Sequence, residues 1–189
     1  MIVWIASYPK SGNTWLRTLI SSYYYTKDGI FHKDLIKKIG QFPEKTHFKS
    51  FQYDPKSVIG TTNFWIKAQE KINQDKKVKF FKTHNVFGKI NNNPFTNKEN
   101  SLGCIYIIRD PRNVITSLSN HYELNYDDSL AWMTNHKKYI FDNRGGKDYG
   151  NFQFISSWSN NYKSWKIQKD LPIKIIRYED LLEKTFSVT

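Results

Sequence analysis

The chain contains a single cysteine, Cys104, so an internal disulfide is excluded and a reducing cytoplasm is the compartment that suits it. No apolar run approaches the roughly 18–20 residues needed to cross a bilayer, so no membrane span is expected. The first apolar stretch, Met1 to Ala6, has no basic region before it and runs at once into a Pro-Lys-Ser-Gly turn. It reads as a strand rather than a signal peptide. There is no internal repeat, low-complexity tract or compositional break, and residues 1–189 are expected to form one domain. Acidic residues are scarce: Asp+Glu number 17 against 29 Lys+Arg, for a net charge of +12. Such a surplus suits polyanionic partners. The joint abundance of Lys, Asn, Ile, Tyr and Phe is equally what an AT-rich genome encodes. A nucleotide ligand needs only a few well-placed cations, so the charge does not choose between these readings.

Apolar periodicity alternates between strand and helix, which implies an α/β fold: a central, mostly parallel sheet with helices on both faces. A strand over Ile2 to Ser7 leads into a helix from Asn13 to Tyr25, with Trp15, Leu16, Leu19, Ile20, Tyr23 and Tyr24 on one stripe. Residues 26–60 are basic and turn-rich. A helix over Thr62 to Gln74 precedes a strand at Val78 to Lys82, and Asn91-Asn92-Asn93-Pro94 marks a loop. The run Leu102 to Arg109 is nearly all apolar, as expected of a strand buried on both faces. Asp110-Pro111 then supplies an N-cap carboxylate and a proline at the first helical position. Helices are expected at Ser129 to Phe141 and Phe152 to Lys169, and a last strand at Ile173 to Arg177.

The segment Tyr8-Pro9-Lys10-Ser11-Gly12-Asn13-Thr14-Trp15 joins the first strand to the first helix. A loop there aims backbone N–H groups and the positive helix end at the sheet's carboxyl edge, where an anion can be held by the main chain. Ser11 and Gly12 keep the loop small, Lys10 adds a charge, the side chains of Ser11, Asn13 and Thr14 can donate further, and Trp15 offers a face to a nucleobase. Alone, the segment could be an ordinary strand-turn-helix. It is not a Walker A loop, because Lys10 precedes the glycine instead of following it. A kinase neutralises its γ-phosphate with Mg²⁺. A group of lower charge than a γ-phosphate can be managed by a lysine and N–H donors alone, so no metal is expected.

Two other strand ends should face the same edge. Phe80-Phe81-Lys82-Thr83-His84 places a lysine and an imidazole there, and a neutral imidazole can take a proton from an attacking hydroxyl. A strand-end histidine bonded to a carbonyl is the blander reading. In Ile107-Ile108-Arg109-Asp110-Pro111, Arg109 leaves the strand where its guanidinium can fork onto a phosphate, and Ser117 follows about two helical turns later. Arg109 and Asp110 could equally be a turn ion pair of little consequence.

Taken together these segments resemble the sulfotransferase family. The first loop is similar to the family's 5′-phosphosulfate-binding pattern Tyr-Pro-Lys-Ser-Gly-Thr/Asn-Thr-Trp, and Lys82-Thr83-His84 looks like its catalytic motif. Ser157 to Trp165 and Ile175 to Leu182, with Tyr178-Glu179-Asp180, resemble its late Trp helix and Tyr-Glu-Asp strand end. Trp158 and Trp165 read better as core than as ligand contacts. The resemblance spans residues 2–182. It implies a three-layer sandwich of the P-loop nucleotide-kinase kind, with 3′-phosphoadenosine 5′-phosphosulfate (PAPS) as co-substrate and PAP as product. It further implies His84 as general base, and Lys10 and Lys82 on the leaving and transferring groups. Ser11, Gly12, Asn13 and Thr14 would bind the 5′-phosphate, Trp15 would stack on adenine with Tyr178 near it, and Arg109 and Ser117 would bind the 3′-phosphate.

Family members usually continue well beyond this length into an Arg-Lys-Gly / Gly-x-x-Gly-x-Trp-Lys loop that closes over the nucleotide. Two functions follow. One is sulfuryl transfer to a hydroxyl or amine of a small-molecule, carbohydrate or lipid acceptor; the other is a shortened homologue that binds PAP, PAPS or another anion without turnover. A nucleic-acid binder is disfavoured, since no recognisable nucleic-acid motif is present. Acceptor specificity is expected in the loops 26–60, 85–100 and 142–151. The acceptor itself and the oligomeric state are not legible.

Overall fold

The computed structural model describes residues 1–141 and 148–185. Of the loop 142–151, residues 142–147 lie outside the described residues. In chain order the regular elements are β1 (Ile2–Ser7), α1 (Asn13–Tyr25), α2 (Val58–Thr62), α3 (Trp65–Ile72), β2 (Lys79–Thr83), β3 (Lys89–Ile90), β4 (Asn93–Pro94), β5 (Ser101–Ile108), α4 (Pro111–Tyr122), α5 (Tyr126–Thr134), β6 (Tyr139–Ile140), β7 (Gln153–Phe154), α6 (Trp158–Ile167), β8 (Ile173–Arg177) and α7 (Tyr178–Glu183). Short 3₁₀ turns occupy Lys33–Lys38, Lys45–Phe48, Asn73–Asp75 and Tyr149–Asn151.

The four long strands form one sheet in the order β2-β1-β5-β8, every pair parallel. Side chains of a strand alternate between faces, and β1 feeds a different core with each. Ile2, Trp4 and Ala6 pack with Trp65 and Ala68 of α3 and Trp165 of α6. Ile5 packs on the opposite face with Leu16 of α1, Ile107, Ile176 and Leu181 of α7. Helices therefore cover both faces, which explains why β1 and β5 read as continuous apolar runs. A third cluster, Tyr8, Val114, Leu118, Met133 and Ile155, underlies α4 and α5 beside the site loop. The first core is largely aromatic: the Trp4 ring lies 4.9 Å from Phe95 and 5.6 Å from Phe42. The Trp4 indole N–H donates to Ser101 Oγ at 2.8 Å, so burying it leaves no orphan donor. Among the described residues no helix is long and apolar enough to cross a membrane.

Three expected helices differ from those observed, each because a side-chain cap or a distant strand partner intervenes. The stretch 62–74 is split: Ser57 accepts from the Gly60 N–H and starts α2 early, and α3 follows as a separate helix from Trp65. Asn125 caps α5 at its start through the Asp128 N–H, and Tyr139–Ile140 pairs antiparallel with Gln153–Phe154 instead of extending it. The same pairing removes 153–154 from the last long helix, which begins after Ser157 accepts from the Asn160 N–H. Short apolar runs carry no period that separates strand from helix. The Asn loop turns out to be a hairpin: Asn91 and Asn92 have φ of 45° and 65°, the left-handed pair a two-residue turn requires.

Candidate active site

The chain leaves β1 through a loop with two left-handed residues, Lys10 at φ 68° and Gly12 at φ 95°. Gly12 is required twice over. Its φ is one that side chains resist, and a Cβ there would lie 2.2 Å from Cδ2 of Tyr178. Side chains of Ser57, Asp110, Asn125 and Ser157 cap α2, α4, α5 and α6, whereas no side chain caps α1. The first N–H groups of α1 stay open toward a cleft of about 590 Å³. Lys10, Gly12, Asn13, Thr14 and Trp15 line that cleft, and Trp15 is 44% exposed at its wall. Ser11 is buried beneath the loop, and its Oγ has no hydrogen-bond partner among the described residues. Asn13 Nδ2 turns inward and donates to Ile5 O at 2.9 Å and Ser7 Oγ at 3.1 Å. What Asn13 offers the cleft is its main-chain N–H, while its side chain ties α1 to β1.

His84 sits just beyond β2, almost fully buried, and also lines the cleft. Its Nδ1 lies 2.7 Å from the Ser7 carbonyl oxygen and 3.3 Å from Ser7 Oγ. A carbonyl only accepts, so Nδ1 carries the proton and Nε2 keeps its lone pair. The backbone on either side is clamped: the His84 N–H donates to Gln153 Oε1 at 2.7 Å, and Asn161 Nδ2 donates to His84 O at 2.9 Å. Tyr106 O–H in turn donates to Asn161 Oδ1 at 2.8 Å. Burial, reinforced by the charge of Lys82, drives the imidazole pKa well below its usual 6.5, so His84 is neutral at neutral pH. The strand-end carbonyl bond is therefore present, and it orients the imidazole.

Lys82 donates to Gln41 Oε1 at 3.2 Å and lines the same cleft. Burial, with Arg17 adding repulsion, lowers its pKa to about 8. Burial and then Arg109 lower that of Lys10. Both lysines lack an acidic partner among the described residues. Cations held this way gain from an incoming anion.

Arg109 does not pair with Asp110. Its Nη1 donates to Lys10 O at 3.0 Å and its guanidinium stacks 4.5 Å from the centre of the Tyr178 ring, leaving Nε buried without a partner among the described residues. Asp110 instead pairs with Arg112, Oδ2 to Nη2 at 2.5 Å, and that contact holds its carboxyl at about 2. Glu179 Oε1 accepts from the Asp110 N–H at 3.0 Å. Consecutive residues at the end of β8 thus act on two neighbouring segments, Tyr178 on Gly12 and Arg109, and Glu179 on the start of α4. Ser117 and Tyr178 line the cleft with Arg109.

Every site residue expected from the sequence therefore lines one cleft, except the buried Ser11. Four more residues support the site: Ser7, Gln153, Asn161 and Glu179. The only signal for Ser7 was a hydroxyl ending an otherwise apolar strand; Asn161 and Glu179 lay in segments that resemble the family without a role of their own, and Gln153 carried none. Among the described residues no group of three or more His, Cys, Asp or Glu is placed to hold a metal ion.

A family model described as a sulfotransferase domain matches residues 2–189. Cytosolic sulfotransferase 13 of Arabidopsis thaliana is 24% identical over 182 residues, covering 95% of this chain and 49% of that protein. Two crystal structures of retinol dehydratase, one with androsterone and the inactive cofactor PAP and one with retinol and PAP, share the fold. Their TM-scores are 0.51 and 0.52 at 17% identity, over 97% of this chain and 56% of theirs. The chain spans about half the length of these relatives.

Proposed function

Since the chain belongs to the sulfotransferase domain family, we propose that it moves a sulfuryl group from PAPS to a hydroxyl or amine of an acceptor and releases PAP. The observation that carries this is the single cleft in which a neutral imidazole with a free Nε2 meets two partly desolvated lysines. The residues present fit the nucleotide. Among the described residues Ser11 Oγ and Arg109 Nε are buried donors without partners, and Gly12 leaves main chain where a Cβ could not stand. PAPS supplies the sulfuryl group: the acceptor oxygen bonds to sulfur as the bond from sulfur to the 5′-phosphate oxygen breaks, its electron pair leaving with PAP.

His84 Nε2 takes the acceptor's proton, while the Nδ1–H bond to Ser7 O steadies the imidazolium that forms. Lys10 and the open N–H groups of α1 hold the 5′-phosphate end, where negative charge grows as the bond breaks. Lys82 neutralises the oxygens in transfer. Arg109, backed by Tyr178, and Ser117 anchor the 3′-phosphate, and Trp15 stacks on the adenine. The buried thiol of Cys104 suits a cytoplasmic setting. The test is transfer of radiolabel from PAPS to an acceptor panel by wild type and His84→Ala. Label should move only with the wild type; equal turnover by both would remove His84 as base. PAP binding without turnover on any acceptor would leave a nucleotide-binding module.

A further inference from the structure

The cleft does not stop at His84. A second cleft of about 550 Å³ opens from it, the two sharing Gln41, His121, Tyr122 and Ile140 as common walls. Their chemistry is opposed. Among the described residues the first is lined by Lys10, Lys82 and Arg109 and by no carboxylate. Among the described residues the second is lined by no lysine or arginine and by one carboxylate, Glu44, which accepts from the His47 N–H in a capping box and makes no ion pair. Glu44 lines the second cleft and not the first, where Lys10, Gly12 and Arg109 lie.

The polar groups between these ends are already oriented. Gln153 Oε1 is held by the His84 N–H at 2.7 Å, which leaves its amide NH₂ as the group to offer. Asn151 Oδ1 likewise accepts from the Lys45 N–H at 2.8 Å, leaving its NH₂. His121 forms no hydrogen bond among the described residues. One apolar wall is provided by Tyr122, whose ring is stacked from behind by Trp132 at 4.6 Å, together with Ile140 and Phe141. An apolar wall, fixed amide donors and one carboxylate match a compact ring that carries hydroxyls and a positive charge. A flat hydrocarbon acceptor would cover the same amides and carboxylate without pairing them, which opposes its binding.

We infer that the acceptor is a hydroxylated amine of the amino-sugar or aminocyclitol class, with its ammonium group on Glu44 and one hydroxyl at His84 Nε2. This rests on the sulfuryl-transfer reading above. The loop 26–60 contributes Gln41 and Glu44 and the stretch 142–151 contributes Asn151, but no residue of 85–100 lines either cleft. The far ends of α4 and β6 take that place.

The experiment titrates PAP into the protein first, then glucosamine, glucose and 1-naphthol into the PAP-loaded protein by calorimetry, with radiolabel transfer from PAPS as a second readout. The pH is kept where the amine of glucosamine is protonated. Glucosamine should bind about tenfold or more tighter than glucose, the worth of one charge-assisted contact. Glu44→Gln should erase that ratio, and Glu44→Lys should turn the preference toward glucuronate. PAP titration reports whether each variant is folded. Equal affinity for glucosamine and glucose, a preference for 1-naphthol, or an undiminished ratio in Glu44→Gln overturns the inference alone, provided PAP binds. Failure of wild type to bind PAP overturns the transfer reading and this inference with it.

Discussion

His84 Nδ1 and the Ser7 carbonyl oxygen, 2.7 Å apart, join the carboxyl ends of two adjacent parallel strands and decide which imidazole nitrogen keeps its lone pair. The contact is itself supported. Asn13 of α1 holds Ser7 Oγ, and Asn161 of α6 holds the His84 carbonyl. The loop after β1 and the His84 imidazole thus belong to one hydrogen-bonded unit, and disturbing the first should be felt at the second.

Replacing His84 with alanine should lower kcat by about 10²–10⁴-fold, the usual contribution of a general base, with PAP affinity held. Asn13→Ala removes no base. It should lower kcat by about tenfold while the KM for PAPS changes less, because a misplaced base affects the transition state most. Nitrogen NMR of the imidazole supplies the structural readout: a pure Nδ1–H tautomer in wild type and a mixture in Asn13→Ala. An unchanged tautomer beside a reduced kcat would assign Asn13 to the nucleotide instead.

The pH dependence follows from Lys82 and His84. Folding lowers Lys82 from 10.5 to about 8, chiefly by burial. Between those values the unfolded chain keeps a proton that the folded chain has released, so stability from this group rises with pH through the window; below about 8 the buried charge is a constant cost. Lys82→Met should therefore raise the Tm at neutral pH and flatten the rise on the alkaline side, as scanning calorimetry would show. A bound anion favours the charged amine, so PAP should take up a fraction of a proton on binding near pH 8. Titration in buffers of different ionisation heat measures it. With the His84 pKa well below 6.5, kcat/KM should stay level down to mildly acidic pH and decline above about 8.

Gly12→Ala meets two obstacles, a φ of 95° and a ring carbon 2.2 Å from the new methyl. A loss of about 1–3 kcal/mol is expected from the backbone alone, seen as a Tm lowered by several degrees. Adding Tyr178→Ala relieves the overlap but not the torsion, so the double variant should recover only part of the loss. Full recovery would show that the torsion is harmless.

The proposed place of Arg109 at the 3′-phosphate predicts that it separates nucleotides. Arg109→Ala should weaken PAP by about 10–100-fold, the worth of charge-assisted bonds to the 3′-phosphate, and leave 5′-AMP within about twofold. Arg109→Lys should recover little, because the stacked fork on Tyr178 is what an ammonium cannot reproduce. Trp15 fluorescence offers a direct titration signal. Equal losses for both nucleotides would remove Arg109 from the 3′ end.

The residues that read as functional in one dimension were those whose chemistry is local. Lys10, Gly12, Trp15 and the open start of α1 announce themselves because a strand, a small-residue turn and a helix are consecutive in the chain. Lys82-Thr83-His84 and Arg109 were legible because parallel strand ends converge on one edge. The contacts made by Asn161, Gln153 and Glu179 were not, although Asn161 and Glu179 lie in family-like segments, since each acts on a partner far along the chain: 77 residues separate Asn161 from His84, and 69 separate Glu179 from Asp110. The expected helix over Phe152 to Lys169 missed β7 for the same reason, its partner strand being remote.

Local patterning thus accounts for the alternation of strand and helix, the glycine at a left-handed turn and the cap that starts α4, because these depend on nearest neighbours along the backbone. Three features arise only when distant segments close over one another: the tautomer of His84, the softened charge of Lys82 and the division of the site into a cationic and an acidic cleft. Each depends on desolvation and on hydrogen bonds made across the sheet, and no window of sequence contains both partners.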